Sequence, residues 1–320
     1  MIIDLPSTST SAVSKRMVDL RETGGAIALG RVLTLVIVTD DIEAEEAIAA
    51  ANDASREHPC RVLVLARGSK RGAPRLDAQI RVGGDAGASE VIVLRLYGEL
   101  VEHGASVLVP LLLPDAPVVA WWPGAPPKYP AKDPIGAMAQ RRITDSEAAA
   151  RPRQALRALG AAYQDGDTDL AWTRITLWRG LLAAALDQAT AEPVTSATVA
   201  GASDSPSTDL LAAWLGLTLD CPVTRSRRPA GTGLSSVRLD RDSGPIQLVR
   251  PEGDVATLTQ PGQPDRRVAL PRRNDPECLA EELRRLDPDD IYAEVITTGL
   301  DRLEAAVAST GAARRTRDSA

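Results

Sequence analysis

The most regular hydrophobic segments of the chain lie in its first half. Residues 31–38 and 60–66 are β-branched and almost continuously apolar, which is typical of strands buried on both faces. Between them, residues 43–55 are rich in alanine and predict a helix. A strand, a helix and a second buried strand form a βαβ unit, whose strands are parallel and whose crossover is right-handed. The pattern predicts an α/β domain with a mostly parallel sheet flanked by helices.

Shorter elements complete this first domain. The pattern predicts strands over residues 76–82, 90–96, 117–122 and 141–145, and helices over 13–23, 99–112, 149–161 and 169–187. Gly83-Gly84-Asp85 predicts a turn between two of the strands. Residues 1–12 are rich in serine and threonine, and we expect them to form a flexible arm.

The second half predicts a smaller α+β domain. A strand over 195–200 and a helix over 205–217 precede a hairpin, in which 237–239 and 246–248 alternate around Asp242-Ser243-Gly244. A further strand is predicted over 268–270, and Asp275-Pro276 and Asp287-Pro288 predict the starts of the last two helices. We therefore expect an N-terminal domain over 1–190, a C-terminal domain over 191–308 and a disordered tail over 309–320.

Composition narrows the class of protein. A length of 320 residues suits two domains. The 37 basic and 43 acidic side chains give a net charge of −6, which disfavours binding to nucleic acid. No apolar segment approaches the roughly 20 residues that a membrane-spanning helix needs, and the first residues do not resemble a signal peptide. Three widely spaced cysteines make a disulfide framework implausible, so we expect a cytoplasmic protein.

Motifs for catalysis are absent from the sequence. With only two histidines and no CxxC pair, we expect no metal site. The chain has no phosphate-binding loop, and its glycine-rich segment after residue 83 precedes a strand rather than a helix, so we expect no cofactor. Cys278, near the start of a predicted helix, is a candidate redox residue, although the neighbouring glutamates oppose a low thiol pKa.

The carboxyl ends of the predicted parallel strands form the strongest candidate site. Open α/β sheets bind ligands at this edge, which would carry two adjacent tryptophans and several charged residues. Tryptophan and arginine also favour a protein contact, although simple packing of both tryptophans is an equal alternative. The candidate partner-binding residues here are Trp121, Trp122, Arg141, Arg142 and Asp145. A candidate anion site at the same edge comprises Arg67, Lys70 and Arg71.

A predicted helix and a charged segment extend the candidate surfaces. The helix over 169–187 carries four further candidate partner-binding residues, Trp172, Arg174, Trp178 and Arg179, of which Arg174 and Trp178 are spaced to stack. Residues 225–250 hold six arginines and two aspartates, whereas 275–304 hold ten acids and three arginines. Such segregation is typical either of a solvated surface or of a charged docking surface.

Several segments together resemble a known family. They are Glu57-His58-Pro59-Cys60-Arg61-Val62, Gly87-Ala88-Ser89-Glu90-Val91-Ile92, Leu113-Pro114-Asp115-Ala116-Pro117-Val118-Val119-Ala120-Trp121-Trp122-Pro123, Arg141-Arg142-Ile143-Thr144-Asp145-Ser146 and Asp167-Thr168-Asp169-Leu170-Ala171-Trp172-Thr173-Arg174. In these segments the chain resembles the glucose-6-phosphate dehydrogenase assembly protein family, OpcA.

The resemblance implies a non-enzymatic protein that binds glucose-6-phosphate dehydrogenase. Such a partner promotes oligomerisation or activity of the enzyme, which supplies NADPH in the oxidative pentose phosphate pathway. The tryptophan and arginine candidates would then form the contact surface, or buttress it. The alternative is a sensor that binds a sugar phosphate or nucleotide at the edge of the N-terminal sheet.

Overall fold

The computed structural model describes residues 1–23, 33–83, 90–189, 191–229 and 233–304. Most of the turn predicted at Gly83-Gly84-Asp85 and the whole tail over 309–320 lie outside these ranges. The strands are β1 Ile2–Leu5, β2 Leu33–Asp40, β3 Cys60–Arg67, β4 Arg75–Arg81, β5 Glu90–Tyr97, β6 Val118–Trp122, β7 Arg141–Thr144, β8 Asp167–Asp169, β9 Ser196–Ala202, β10 Val223–Arg228, β11 Leu234–Asp240, β12 Ile246–Val249, β13 Val255–Thr259 and β14 Arg266–Ala269. The α-helices are α1 Thr10–Thr23, α2 Ala44–Ala54, α3 Gly104–Leu108, α4 Pro152–Ala162, α5 Leu170–Thr173, α6 Thr176–Asp187, α7 Pro206–Leu219, α8 Asp275–Arg284 and α9 Asp290–Glu294, and a π-helical turn spans Val295–Gly299.

The chain packs into two compact units. The first contains the described residues within 1–148, 166–168 and 275–288, and the second contains those within 149–165, 169–274 and 289–304. The expected domain boundary at residue 190 falls inside the second unit, because α4, α5 and α6 contribute buried side chains to its core. Helix α8, which is late in the sequence, packs against α2 in the first unit.

The first unit contains a sheet of eight strands in the order β1-β4-β5-β3-β2-β6-β7-β8. Five of them, β5, β3, β2, β6 and β7, are joined by parallel pairings. Counted along the chain, these five run in the order 3-2-1-4-5, the doubly wound arrangement of a Rossmann fold. The predicted α/β class and the mostly parallel sheet are therefore confirmed.

Apolar side chains on both faces hold this sheet in the interior. Strands β2 and β3 are buried over their whole length except for the last residue of each. One face packs on α1 and α3, through a cluster that includes Val13, Val107 and Trp122. Alternation along the strands turns Leu35, Ile37 and Trp121 to the other face, and all three are fully buried.

The prediction of a flexible N-terminal arm is wrong. Residues Ile2–Leu5 form β1, which pairs antiparallel with β4 and places Ile3 opposite Ile80. Helix α1 begins at Thr10 rather than at residue 13. The helix predicted over 99–112 is divided into two 3₁₀ segments around the short α3.

The second unit contains a six-stranded sheet in the order β10-β9-β11-β12-β13-β14. The predicted hairpin is confirmed, since Val237 of β11 lies opposite Leu248 of β12 in an antiparallel pair. The helix predicted over 169–187 is divided into α5 and α6. The start of α9 is capped by Asp289, whose carboxylate accepts a hydrogen bond from the Tyr292 amide at 2.9 Å, and not by Asp287 as predicted.

Candidate functional site

The carboxyl ends of β2 and β6 mark the point where the strand order of the parallel sheet reverses. In doubly wound folds this switch point is the usual ligand site, and a dinucleotide binds there through a glycine-rich turn that leads into a helix. Here the turn after β2 reads Asp40-Asp41-Ile42-Glu43 and leads into α2. It therefore contains acids where a nucleotide-binding protein has glycines.

The carboxylate of Asp40 closes the turn that leads into α2. Its Oδ1 accepts hydrogen bonds from the amides of Ile42 and Glu43, each at 2.9 Å. Amides at the start of a helix attract anions, and in this fold they bind the pyrophosphate. Asp40 therefore satisfies two amides of the turn that leads into α2, the second of which belongs to the N-cap residue Glu43.

The rest of the crevice is also unfavourable to a phosphate. A Cβ on Gly124, in the loop after β6, would lie 2.7 Å from Oε2 of Glu43, so this carboxylate approaches the opposite side of the switch point. With Asp40, it places two carboxylates at the crevice, while Asp41 forms an ion pair with Arg95 of β5 at 2.9 Å. Like charges repel, and the arrangement therefore disfavours the pyrophosphate of a nicotinamide dinucleotide.

The candidate anion site of Arg67, Lys70 and Arg71 lies beyond the end of the neighbouring strand β3. All three side chains are exposed. Lys70 forms an ion pair with Glu102 at 2.5 Å, and this contact lowers the pKa of the Glu102 carboxyl. The pair neutralises part of the positive charge at this edge. An anion bound here stays a prediction that depends mainly on Arg67 and Arg71.

Both adjacent tryptophans are buried, one on each face of the sheet. Trp121 has no exposed surface and Trp122 is 3% exposed. With both rings buried, simple packing and buttressing of a contact surface are the alternatives that fit, and a role in partner binding stays a prediction. The Cη2 atom of Trp122 lies against Gly136, where a Cβ would come within 3.2 Å of it. Trp122 therefore supports the loop that connects β6 and β7, residues 123–140.

The two arginines of β7 are buried in ion pairs. Arg141 donates from Nη2 to Oε2 of Glu282 on α8 at 2.6 Å and from Nη1 to the Asp287 carbonyl at 2.7 Å. Arg142 pairs with Asp167 and donates from Nη1 to the Ala139 carbonyl at 2.9 Å. Asp145 is also buried. These three side chains act within the first unit, and a role in partner binding would be indirect.

Of the candidates at 172–179, the two tryptophans lie in the core of the second unit. Trp172 and Trp178 are buried, and Nε1 of Trp172 donates to Asp289 at 2.9 Å. The guanidinium of Arg179 lies 3.7 Å from the ring centroid of Trp172, and that of Arg250 lies 5.2 Å from the centroid of Trp178. Arg174 is half-buried. Their place is typical of packing, stabilised by cation–π contacts.

The cysteines show no arrangement typical of a redox pair. No disulfide joins them, and all three lie within the described residues. Cys278, the redox candidate, is fully buried. Cys221 is half-buried, and burial together with Asp220 raises the pKa of its thiol. A raised pKa keeps a thiol protonated and less reactive.

Sequence reasoning missed an exposed aromatic residue on the β6–β7 loop. Tyr129 is 45% exposed. The ammonium groups of Lys128 and Lys132 lie 5.0 and 5.4 Å from its ring centroid. The signal was available, because two of the four lysines in the whole chain flank this tyrosine. Tyrosine is enriched at protein interfaces, so this exposed ring is a candidate contact residue.

Other features of a catalytic or membrane protein are not found among the described residues. No group of three or more histidine, cysteine or acidic side chains there is placed to hold a metal ion. In the same ranges, no helix has both the length and the apolar character that a membrane span requires.

The fold and the switch point define a doubly wound α/β protein whose turn after β2 is acidic and closed by the Asp40 carboxylate. Two family models match the chain. One, described as the glucose-6-phosphate dehydrogenase subunit N-terminal domain, matches residues 51–161, and the other, described as the C-terminal domain of the same subunit, matches 165–296. The chain belongs to the OpcA family of glucose-6-phosphate dehydrogenase assembly proteins.

The chain has distant likenesses among solved structures, and no curated protein matches it. A glucose-6-phosphate 1-dehydrogenase from Mycobacterium avium is 13% identical with a TM-score of 0.41, over 83% of this chain and 90% of the other. An oxidoreductase from Sinorhizobium meliloti is 13% identical with a TM-score of 0.49, over 87% and 97%. An NAD-binding oxidoreductase from Klebsiella pneumoniae is 11% identical with a TM-score of 0.42, over 88% and 98%. Likenesses at this level carry no argument about function.

Proposed function

We propose that this protein is a non-catalytic partner that binds glucose-6-phosphate dehydrogenase and promotes its oligomerisation or activity in the cytoplasm. The observation that carries the proposal is the match of two family models, both described as parts of a glucose-6-phosphate dehydrogenase subunit, to residues 51–161 and 165–296. Through that enzyme the protein would increase the production of NADPH in the oxidative pentose phosphate pathway.

The switch point supports a role without catalysis. An enzyme built on this fold would hold a dinucleotide through a glycine-rich turn that leads into α2, and here that turn is acidic and closed by hydrogen bonds to Asp40. A protein that keeps the sheet but lacks the glycine-rich turn suits binding to another protein. The alternative function is a sensor that binds a sugar phosphate or nucleotide at the edge of the N-terminal sheet. It receives less support because Lys70 is paired with Glu102.

The proposed mechanism is thermodynamic linkage between the binding of this protein and the state of the dehydrogenase. A partner shifts the dehydrogenase toward an active or assembled state only if it binds that state more tightly than the other. Coupling free energies of this kind are typically about 1–3 kcal/mol, or about 5- to 150-fold in an equilibrium constant. By reciprocity, ligands that favour the active dehydrogenase should also tighten its complex with this protein.

The β6–β7 loop is the contact that we propose for the enzyme. Tyr129 and its two lysines are exposed there, and the buried Trp122 lies behind the loop. Amphipathic aromatic residues contribute strongly at protein interfaces. This assignment keeps the tryptophan pair as a support and moves the direct contact to exposed residues.

An activity assay tests the proposed function. Glucose-6-phosphate dehydrogenase from the same organism is assayed with and without the full chain, and light scattering reports the mass of each mixture. We expect a rise in activity, in oligomer mass or in both. If neither changes, with or without reductant, then the partner function is wrong.

A single substitution tests the proposed contact. We expect Tyr129→Ala to raise the concentration needed for half-maximal activation by at least about fivefold, since a central aromatic at an interface contributes more than about 1 kcal/mol. The matched control is Ile291→Ala, because Ile291 is 54% exposed and lies on α9 in the other unit. Both variants should unfold at the same temperature as the wild type, since both residues are exposed. Equal activation by the two variants would remove the loop from the interface.

A further inference from the structure

The second unit contains a cleft whose lining is rich in arginine. It has a volume of about 560 Å³ and lies between α4, α7, β10 and the residues after the π-helical turn. Leu156, Leu300 and Leu303 form an apolar wall. The charged lining residues are Arg153, Arg157, Arg225, Arg227, Asp209 and Glu304.

One carboxylate and two guanidinium groups form the floor of the cleft. Asp209, in the first turn of α7, pairs with both Arg153 and Arg225. The side chains of Asp209 and Arg225 are only 4% and 5% exposed. Because one negative charge serves two positive charges, the floor retains an excess of one positive charge.

Part of this excess positive charge lies on Arg225, whose side chain is largely shielded from water. Its Nη2 donates to the Ala202 carbonyl at 2.6 Å, but its buried Nη1 has no hydrogen-bond acceptor in the part of the chain that the structure describes. Burial lowers the pKa of this guanidinium, which means that burial disfavours its charge. Such a charge destabilises a fold unless a further anion compensates it.

The rim of the cleft adds a second excess charge. Arg157 pairs with Glu304, and both side chains are about half exposed, at 50% and 46%. Arg227 is exposed and makes no ion pair with any described residue. In total, four arginines face two carboxylates, and two positive charges remain uncompensated.

We propose that this cleft binds the phosphate monoester of a small organic molecule. A phosphate monoester carries nearly two negative charges, which match the excess in the cleft, whereas one carboxylate would match only half of it. Guanidinium groups present paired donors that fit the oxygens of a phosphate. The leucine wall offers a surface for the organic part, and the volume lies within the usual range for small-molecule sites, about 300–1,000 Å³.

This site is separate from the proposed contact with the dehydrogenase. It lies entirely in the second unit, whereas Tyr129 belongs to the first. Phosphate binding and activation can therefore fail independently of each other.

The test measures binding to the full chain by calorimetry. The probes are glucose 6-phosphate, glycerol 3-phosphate and adenosine 5′-monophosphate, with succinate as a dianion that lacks phosphate and glucose as a neutral control. The variant is Arg227→Gln, which removes a rim charge. Its matched control is Arg228→Gln, the next residue of β10, which is exposed but does not line the cleft.

We expect at least one of the phosphate monoesters to bind. Arg227→Gln should weaken that binding by about tenfold or more, since hydrogen bonds to charged groups are strong, and Arg228→Gln should leave it unchanged. Three results would each overturn the proposal: no binding of any monoester at millimolar concentration, binding of succinate as tight as that of the phosphates, or equal affinities of the two variants. In the last case, a phosphate that binds both variants as tightly as the wild type would lie elsewhere, for example at Arg67 and Arg71.

Discussion

Trp121→Ala is expected to lower the free energy of unfolding by about 3–5 kcal/mol, the usual cost of removing a large buried aromatic side chain. Trp121 is fully buried in β6, between Ile37 of β2 and Ile143 of β7. An alanine here leaves a cavity in the centre of the parallel sheet, where neighbouring strands cannot move in to fill it. The measurement is urea unfolding, in which the midpoint falls and the slope stays the same.

Two further variants isolate the cause of this loss. Trp121→Phe should cost much less than Trp121→Ala, because it keeps a ring and removes an indole Nε1 that has no acceptor among the described residues. Tyr129→Ala removes an exposed ring from the same unit and should change stability by less than about 0.5 kcal/mol. A Trp121→Ala protein as stable as the wild type would contradict the buried position of this side chain.

The tryptophan pair also shows how far the sequence defines the candidate site. Alternation along a strand places neighbours on opposite faces, which holds for Trp121 and Trp122. This alternation does not show which elements cover each face of the sheet. Helices α1 and α3 cover the face of Trp122. Helix α1 lies about 100 residues before β6 in the sequence, whereas α3 comes shortly before β6. The sequence therefore predicted the division of the pair but not the burial of both rings.

The fold was most predictable where burial is continuous along the chain. Strands β2 and β3 are apolar throughout, and their βαβ arrangement follows from the local pattern. Strand β1 has only four residues, and it is ordered by pairing with β4, more than 70 residues away. A short segment whose partner is so distant carries no local signal of its pairing.

Ion pairs between distant segments were the least predictable feature. Arg141 and Glu282 are 141 positions apart, and their pairing places α8 in the first unit rather than with its neighbours in sequence. Asp209 and its two arginines likewise come from three separate elements. In the sequence alone, each of these side chains resembles an ordinary surface charge. Whether a charged side chain is buried depends on the tertiary structure, which the local sequence does not determine.

Glu282→Ala is expected to lower the free energy of unfolding by about 3–5 kcal/mol, because it leaves a buried guanidinium without its carboxylate. The side chains of Arg141 and Glu282 are 4% and 6% exposed, and their contact measures 2.6 Å. The matched control is Glu57→Ala. Glu57 pairs with Arg284 of the same helix α8 at 2.7 Å, but these side chains are 56% and 60% exposed. Solvent screens such a pair, and its loss should cost about 1 kcal/mol or less.

A double variant separates a missing charge partner from a loss of packing. Arg141→Met combined with Glu282→Leu replaces the buried pair by apolar side chains of similar size, a change that is often neutral or stabilising. It should therefore recover most of the stability that Glu282→Ala loses. If the double variant is as unstable as Glu282→Ala, the ion pair is not the cause. A fragment that ends at residue 190 lacks α8 and leaves Arg141 in the same unpaired state, so we expect residues 1–190 to be less stable alone than the same segment within the full chain.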